Sequence, residues 1–352
     1  MTLSTPLLAA APLVAGLMGP ALVGAAPVES RPIAQPVHQA GTTPLADVVE
    51  RVAARSTAEQ RRVLDYWTPE RMAKARPISL LGLVTKDGAL LSGITGKAGL
   101  GSAPVLANGG TKLAPRRQSA RPRAATTGAR WQTGGAVART TGRVFLTLSG
   151  VDFVCSAGTV RSRNRDVVVT AGHCVKDGTG GWAENWTFVP GYRPGGDRPY
   201  GSFTARRMFV AGPWSRSADD SFDIGMVALN KAEGKHVADA VGTQEIAFNP
   251  GRGGQIFGFG YPADPPYDGE HLFYCAGRVH DDPHGATRDQ GLGCEMTAGS
   301  SGGPWLSGFD PATGKGTVTS VSSFKYTDDR GTMYGPYFGD AARALFNTAE
   351  RA

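Results

Sequence analysis

The sequence predicts an all-β fold, a barrel or a sandwich, for residues 134–352. Three observations carry this expectation. The chain holds 49 glycines in 352 residues and is only 19% charged, a composition that supplies turns more readily than long helices. Beyond Gly134, short runs rich in Val, Phe, Thr and Ile recur: RVFLTL, SAGTVRS, DVVVTA, WTFVPGY, DIGMVAL, QIFGFGY and GTVTSVSSF. Gly, Pro, Asp and Asn separate them, the spacing of short strands in a packed β domain. Helical periodicity returns only in DAARALFNTAERA at the end, and there is no tandem repeat.

The residues ahead of this region read differently. Leu3–Val23 is apolar, and Val23-Gly24-Ala25 offers small residues for a cut after Ala25, so residues 1–25 are expected to be a signal peptide. No Lys or Arg precedes Arg31, so the terminal amine alone supplies positive charge, and a retained anchor is the competing reading. The cysteines favour export. Cys155, Cys174, Cys275 and Cys294 are an even set, suited to two disulfides in an oxidising compartment. A secreted, extracellular protein follows, without stable membrane association once the signal is cleaved, because no other stretch is long enough to span a bilayer.

Residues 26–133 are expected to be a pro-segment. Its helical part, residues 43–76, starts with TPLADVVERVAARS, where Thr43 caps, Pro44 opens the first turn, and Leu45, Val48, Val49 and Val52 share a face. Ser56 and Glu59 form a capping box for a second helix through Val63 and Leu64. Thr68-Pro69-Glu70 starts a third, stopped by Pro77. Residues 96–133 read as a flexible basic linker that proteases can reach. Up to Thr141 there are 17 Lys plus Arg against 7 Asp plus Glu; the remainder has 20 against 23. The positive charge therefore belongs to the pro-segment, above all RRQSARPR, and no nucleic-acid surface is expected on the folded domain.

The chemistry concentrates in three places. Ser301 lies in GSSGGP, where glycines let a backbone turn tightly and free the amides of Gly299 and Ser301 to face a developing oxyanion. The same residues satisfy the nucleophile elbow of α/β-hydrolases, but that fold needs its histidine after the serine, and the last histidine here is His284. The order that remains is histidine, acid, serine: His173 in TAGHCV, Asp223 opening DIGMVAL, then Ser301. A serine needs a base, and the base needs an acceptor that fixes its tautomer. Asp223 is preferred over Asp219 and Asp220 because it precedes an apolar strand, whereas those two are expected in a solvated turn. A zinc role for His173 lacks a second ligand at metal spacing, and HDDPH, residues 280–284, reads as an exposed polar turn.

TAGHCV, DIGMVAL, GFGYP and GSSGGP, in this order, make the chain resemble the chymotrypsin-like (trypsin-fold) serine endopeptidases, especially secreted bacterial members related to the glutamyl-endopeptidase group. The resemblance covers residues 134–352. It implies two packed six-stranded Greek-key barrels, with His173 and Asp223 from the first and Ser301 from the second. It also implies a Cys155–Cys174 disulfide, with Cys275 and Cys294 left as the second pair. Proteins or peptides are the substrates implied, with no cofactor, no metal and a monomeric state. A catalytically inactive binding module on the same fold and an esterase using the same triad are the alternatives.

Two positions depart from the better-known members. Ser300 stands where the aspartate that pairs with a newly freed amine would be, so activation is not expected to use an inserted N-terminus. Glu295 stands six residues before Ser301, where a carboxylate favours Lys or Arg in the substrate, and Thr297 and Ser322 or Ser323 are expected to line the pocket. TSVSSFKY lacks the histidine that glutamate-specific relatives place in this strand.

Overall fold

The computed structural model describes residues 47–78 and 122–352. The expected signal peptide, the start of the first expected helix and most of the basic linker lie outside the described residues.

The first described segment is not a simple helical pro-piece. Val48–Val52 is a strand, β1, where a helix was expected. Its three valines are stiff at χ1 and suit a strand, and a sheet edge is at hand to pair with it. Thr57–Tyr66 is the expected helix with its capping box: Ser56 Oγ accepts from the Glu59 amide, and the Glu59 carboxylate accepts from the Ser56 amide. Thr68 caps a short helix, Pro69–Lys74, and Arg76–Pro77 follows as strand β2. Thr126–Arg130 is strand β3, and Trp131 is buried, so residues 126–131 are structured and not linker.

Six strands close the first barrel: β4 (Thr141–Leu148), β5 (Val151–Thr159), β6 (Val167–Thr170), β7 (Glu184–Pro190), β8 (Phe203–Ala211) and β9 (Gly225–Leu229). The circuit runs β8-β7-β4-β5-β6-β9 and returns through β8–β9 pairing. β6 lies between β5 and β9, which is why VVVT is apolar on both faces and buried throughout.

The second half comprises β10 (Glu245–Ile246), β11 (Gln255–Gly260), β12 (Phe273–Arg278), β13 (His280–Asp281), β14 (Gln290–Gly293), β15 (Pro304–Asp310), β16 (Lys315–Val321), β17 (Phe324–Tyr326) and β18 (Asp329–Gly335). It is built as a six-stranded sheet, β10-β16-β15-β11-β12-β3, and a four-stranded sheet, β13-β14-β18-β17. Trp131 packs edge-on against Phe259, Tyr274 and Phe309 with ring centroids 5.3–5.5 Å apart, which fixes β3 to this barrel. The closing helix, Asp340–Ala349, buries Ala342, Leu345 and Ala349 and packs on β8 and β9 of the first barrel.

Both disulfides form as expected. Cys155–Cys174 joins β5 to the turn after β6, and Cys275–Cys294 joins β12 to the segment after β14. A buried arginine couples the barrels. Arg143 of β4 lies over the rings of Phe145 and Tyr192 and pairs with Glu270, from the loop between β11 and β12, at 3.4 Å. Burial depresses its proton affinity, and Glu270 and the Tyr192 hydroxyl offset part of that.

Candidate active site

The register of two neighbouring strands brings the histidine and the acid together. Thr170, the last residue of β6, pairs with Gly225, the first of β9. The chain leaves β6 through a single 3-10 turn, Gly172–Cys174, and enters β9 through another, Asp220–Phe222. His173 and Asp223 therefore meet at one end of the barrel. The Asp223 carboxylate accepts from the His173 amide at 2.7 Å through Oδ1, and His173 Nδ1 lies 2.7 Å from Oδ2. The Ser323 hydroxyl donates to Oδ2 as well. Trp214 backs the imidazole with ring centroids 6.5 Å apart, and its indole N–H donates to the Lys176 carbonyl.

Ser301 comes from the second barrel, just ahead of β15, and is stitched to the first. The Ser156 amide of β5 donates to the Ser301 carbonyl at 2.7 Å. The Ser156 hydroxyl donates to the Gly299 carbonyl and accepts from the Tyr261 amide, both at 2.9 Å. Glycine is required on both sides of the serine. Gly299 has φ +92°, and a Cβ there would stand 2.9 Å from the Tyr261 carbonyl; Gly302 has φ +79°, and a Cβ would stand 2.0 Å from Thr170 Oγ1. The Gly302 amide donates to the Ser322 carbonyl, and the Gly303 amide to that of Ser300. The amides of Gly299 and Ser301 make no hydrogen bond among the described residues.

His173, Asp223 and Ser301 are all buried. His173 Nε2 and Ser301 Oγ are buried polar atoms without a hydrogen-bond partner. Buried polar groups are nearly always paired, so these two, among nine such atoms in the described residues, make the seam a candidate site.

The expected pocket residues are placed less simply. Glu295 is exposed, and its amide donates to the Thr127 carbonyl. Thr297 Oγ1 is engaged with the backbone of Asp264. Ser322 Oγ accepts from the Trp305 indole, and Ser323 serves Asp223. Lys325 is the buried charge of this region: its ammonium donates to the carbonyls of Cys294 and Arg330, and burial lowers its pKa to about 8. Sequence reasoning left Ser156, Trp214 and Lys325 without a role. Only Ser156 carried a signal, its place beside Cys155 in CSAGTV.

Among the described residues, one trio of metal-type side chains converges, Cys155, His173 and Cys174. The two sulfurs are joined in a disulfide and offer no thiolate, so the trio does not fit a metal.

Residues 132–339 match the trypsin family. Protease Anisep from Arthrobacter nicotinovorans, a solved structure, is 37% identical; the match covers 63% of this chain and 99% of Anisep, with a TM-score of 0.59. Two curated relatives match over shorter stretches. An extracellular metalloprotease of Bacillus subtilis is 39% identical over 74 residues, 21% of this chain and 23% of its own length. A glutamyl endopeptidase of Bacillus licheniformis is 39% identical over 71 residues, 20% of this chain and 22% of its own. The chain thus spans about a quarter of the length of the curated relatives it matches. The chain belongs to the trypsin family, and its fold and disulfide-bonded core are those of a trypsin-like serine protease.

Asp220 departs from the solvated state expected for it. Burial, then the charges of Asp223 and Asp219, raise its pKa from 3.8 to about 7. Between these values the native protein keeps a proton that the unfolded chain has lost, so stability falls as pH rises from 3.8 to about 7, and the full penalty applies above that. Asp220→Asn should raise Tm at pH 8 by roughly 2–4 °C or more and change it little at pH 4. Thermal scans at the two pH values check this; an equal effect at both would mean that Asp220 carries no such penalty.

Proposed function

We propose that this chain is a secreted serine endopeptidase, made as a proenzyme, that cleaves peptide bonds through a Ser301–His173–Asp223 triad and an acyl-enzyme. The observation that carries the reading is the buried seam itself. Asp223 holds His173 by Nδ1, while Nε2 and Ser301 Oγ, the two atoms a proton transfer needs, are among the buried polar atoms left unpartnered. A relative named as extracellular and two disulfides support secretion. A peptide or protein is the substrate, and a monomer is sufficient because both halves of the triad come from one chain.

In this mechanism Ser301 Oγ attacks the scissile carbonyl carbon as its proton passes to His173 Nε2. The carbonyl oxygen becomes an oxyanion, received by the amides of Gly299 and Ser301. Collapse breaks the C–N bond, the proton on Nε2 goes to the leaving amine, and an ester remains on Ser301. Water, deprotonated by His173, repeats the sequence and releases the acid. The His173 imidazolium formed midway is stabilised by the Asp223 carboxylate. No step requires a cofactor.

Activation does not depend on an inserted amine, on this reading. Ser300 is fully buried, its hydroxyl donates to the Thr297 carbonyl at 2.6 Å, and it offers no carboxylate for an ion pair. A cut in the basic stretch RRQSARPR, ahead of β3 and the first barrel, is the step that matures the chain.

Active-site labelling tests the reading. A fluorophosphonate should modify Ser301 of the processed protein, located by mass spectrometry, and should not modify the Ser301→Ala form. No adduct on folded, processed protein would favour the inactive binding module. Faster turnover of esters with none of peptides would favour the esterase.

The exposure of Glu295 bears on selectivity. An exposed carboxylate is screened by solvent and discriminates weakly. Glu295→Gln should therefore change the kcat/KM ratio between otherwise identical arginyl and glutamyl peptides by less than about threefold. A tenfold loss on the arginyl peptide alone would return Glu295 to the recognition site.

A further inference from the structure

Residues 47–78 are bound to the first barrel like part of it. β1 pairs with β8 along its whole length, from Val48 opposite Ala211 to Val52 opposite Arg207. The ladder continues as the amides of Ala53 and Ala54 donate to the carbonyls of Arg206 and Ala205. The buried Asn230 side chain donates to the Ala54 carbonyl at 2.9 Å. At the other end β2 pairs with β5, placing Arg76 opposite Phe153. Between the two strands, Trp67 is 2% exposed, lies 5.5 Å from the Phe145 ring and donates its indole N–H to the Asn185 carbonyl. Met72 and Ile78 are buried in the same core. Tyr66 and Arg71 both bond the Asp152 carboxylate.

A second feature points beyond passive packing. The Asp47 carbonyl accepts from the Gly212 amide, and its carboxylate pairs with Arg216. Both partners belong to the short helix Gly212–Ser217, which carries Trp214, the residue behind His173. The strap therefore braces the support of the catalytic base. None of its hydrogen bonds or ion pairs among the described residues reaches His173, Asp223 or Ser301. The family match begins at residue 132, so the strap is an addition to the family domain.

We propose that residues 47–78 are a permanent subunit of the mature enzyme: after a cut between residues 78 and 122, the strap stays on the first barrel and the active species has two chains. The proposal rests on the proenzyme reading for the existence of the cut. Release would strip Trp67, Met72 and Ile78 from the core and leave the β8 edge unpaired, so dissociation amounts to partial unfolding. A piece removed merely to open the cleft needs no such anchorage.

The test uses the full chain carrying Ser301→Ala, with a specific protease recognition site inserted between residues 79 and 121. The folded protein is cut, passed over a size-exclusion column in native buffer and in 6 M guanidinium, and weighed intact. The strap and the remainder should co-elute in equal amounts in native buffer and separate only in denaturant. In the same frame Met72→Ala, introduced before the cut, should speed release roughly thirtyfold or more. A strap that elutes alone in native buffer, while the remainder keeps its Tm, overturns the proposal. Release unaffected by Met72→Ala overturns it as well, because the anchorage argued above would not be what holds the strap. Since Ser301→Ala removes the nucleophile, these outcomes stand whether or not the chain proves to be a protease.

Discussion

The site depends on one small residue, Ser156, at the point where two barrels meet. The histidine and the acid belong to the first barrel and the serine to the second, and neither barrel alone holds a complete set. Ser156 spends its amide on the Ser301 carbonyl and its hydroxyl on the Gly299 carbonyl, while accepting from the Tyr261 amide. Three hydrogen bonds from one buried residue thus fix the loop that presents the proposed nucleophile and both candidate oxyanion amides. In a water-excluded seam such bonds are stronger than at the surface, and leaving any of them unmade is costly. The Cys155–Cys174 disulfide holds Ser156 next to the histidine turn, so Ser301 and His173 are referred to the same few atoms of β5.

A seam of this kind must also resist slippage. Arg143 and Glu270 provide a second point of docking, with Arg143 opposite Ser156 in the β4–β5 ladder. Breaking such a pair would strand a buried guanidinium, so the pair penalises relative motion of the barrels more than it adds stability. Asp220 shows the cost of gathering carboxylates beside the triad. It shares a turn with Asp223, and burial together with its neighbour's charge lifts its pKa to about 7. Asp223, three positions on, is held by the His173 amide, the imidazole and the Ser323 hydroxyl.

Much of this was legible in the chain. The strands of both barrels announce themselves as short apolar runs between turn residues, and the capping box at Ser56 and Glu59 is a local signal that folds as it reads. The order of His173, Asp223 and Ser301 sufficed to discard the α/β-hydrolase alternative. What escaped was non-local. Val48, Val49 and Val52 fit one face of a helix equally well, and only the unpaired edge of β8 decides that they form a strand. Residues 126–131 look like linker because the aromatic cluster that captures Trp131 comes from β11, β12 and β15. Ser323 was expected in the substrate pocket, and its actual acceptor lies 100 residues earlier.

The same asymmetry explains the specificity region. Position along the chain suggested Glu295 as the charge a substrate meets, but position does not specify burial. Glu295 is exposed, whereas Lys325 of β17 is buried with its ammonium tied to the Cys294 and Arg330 carbonyls. Burial lowers the Lys325 pKa to about 8, and the charges of Glu295 and Asp329 offset part of that. The region therefore holds a buried cation beside the exposed carboxylate that the linear sequence advertised, and the two charges act on each other.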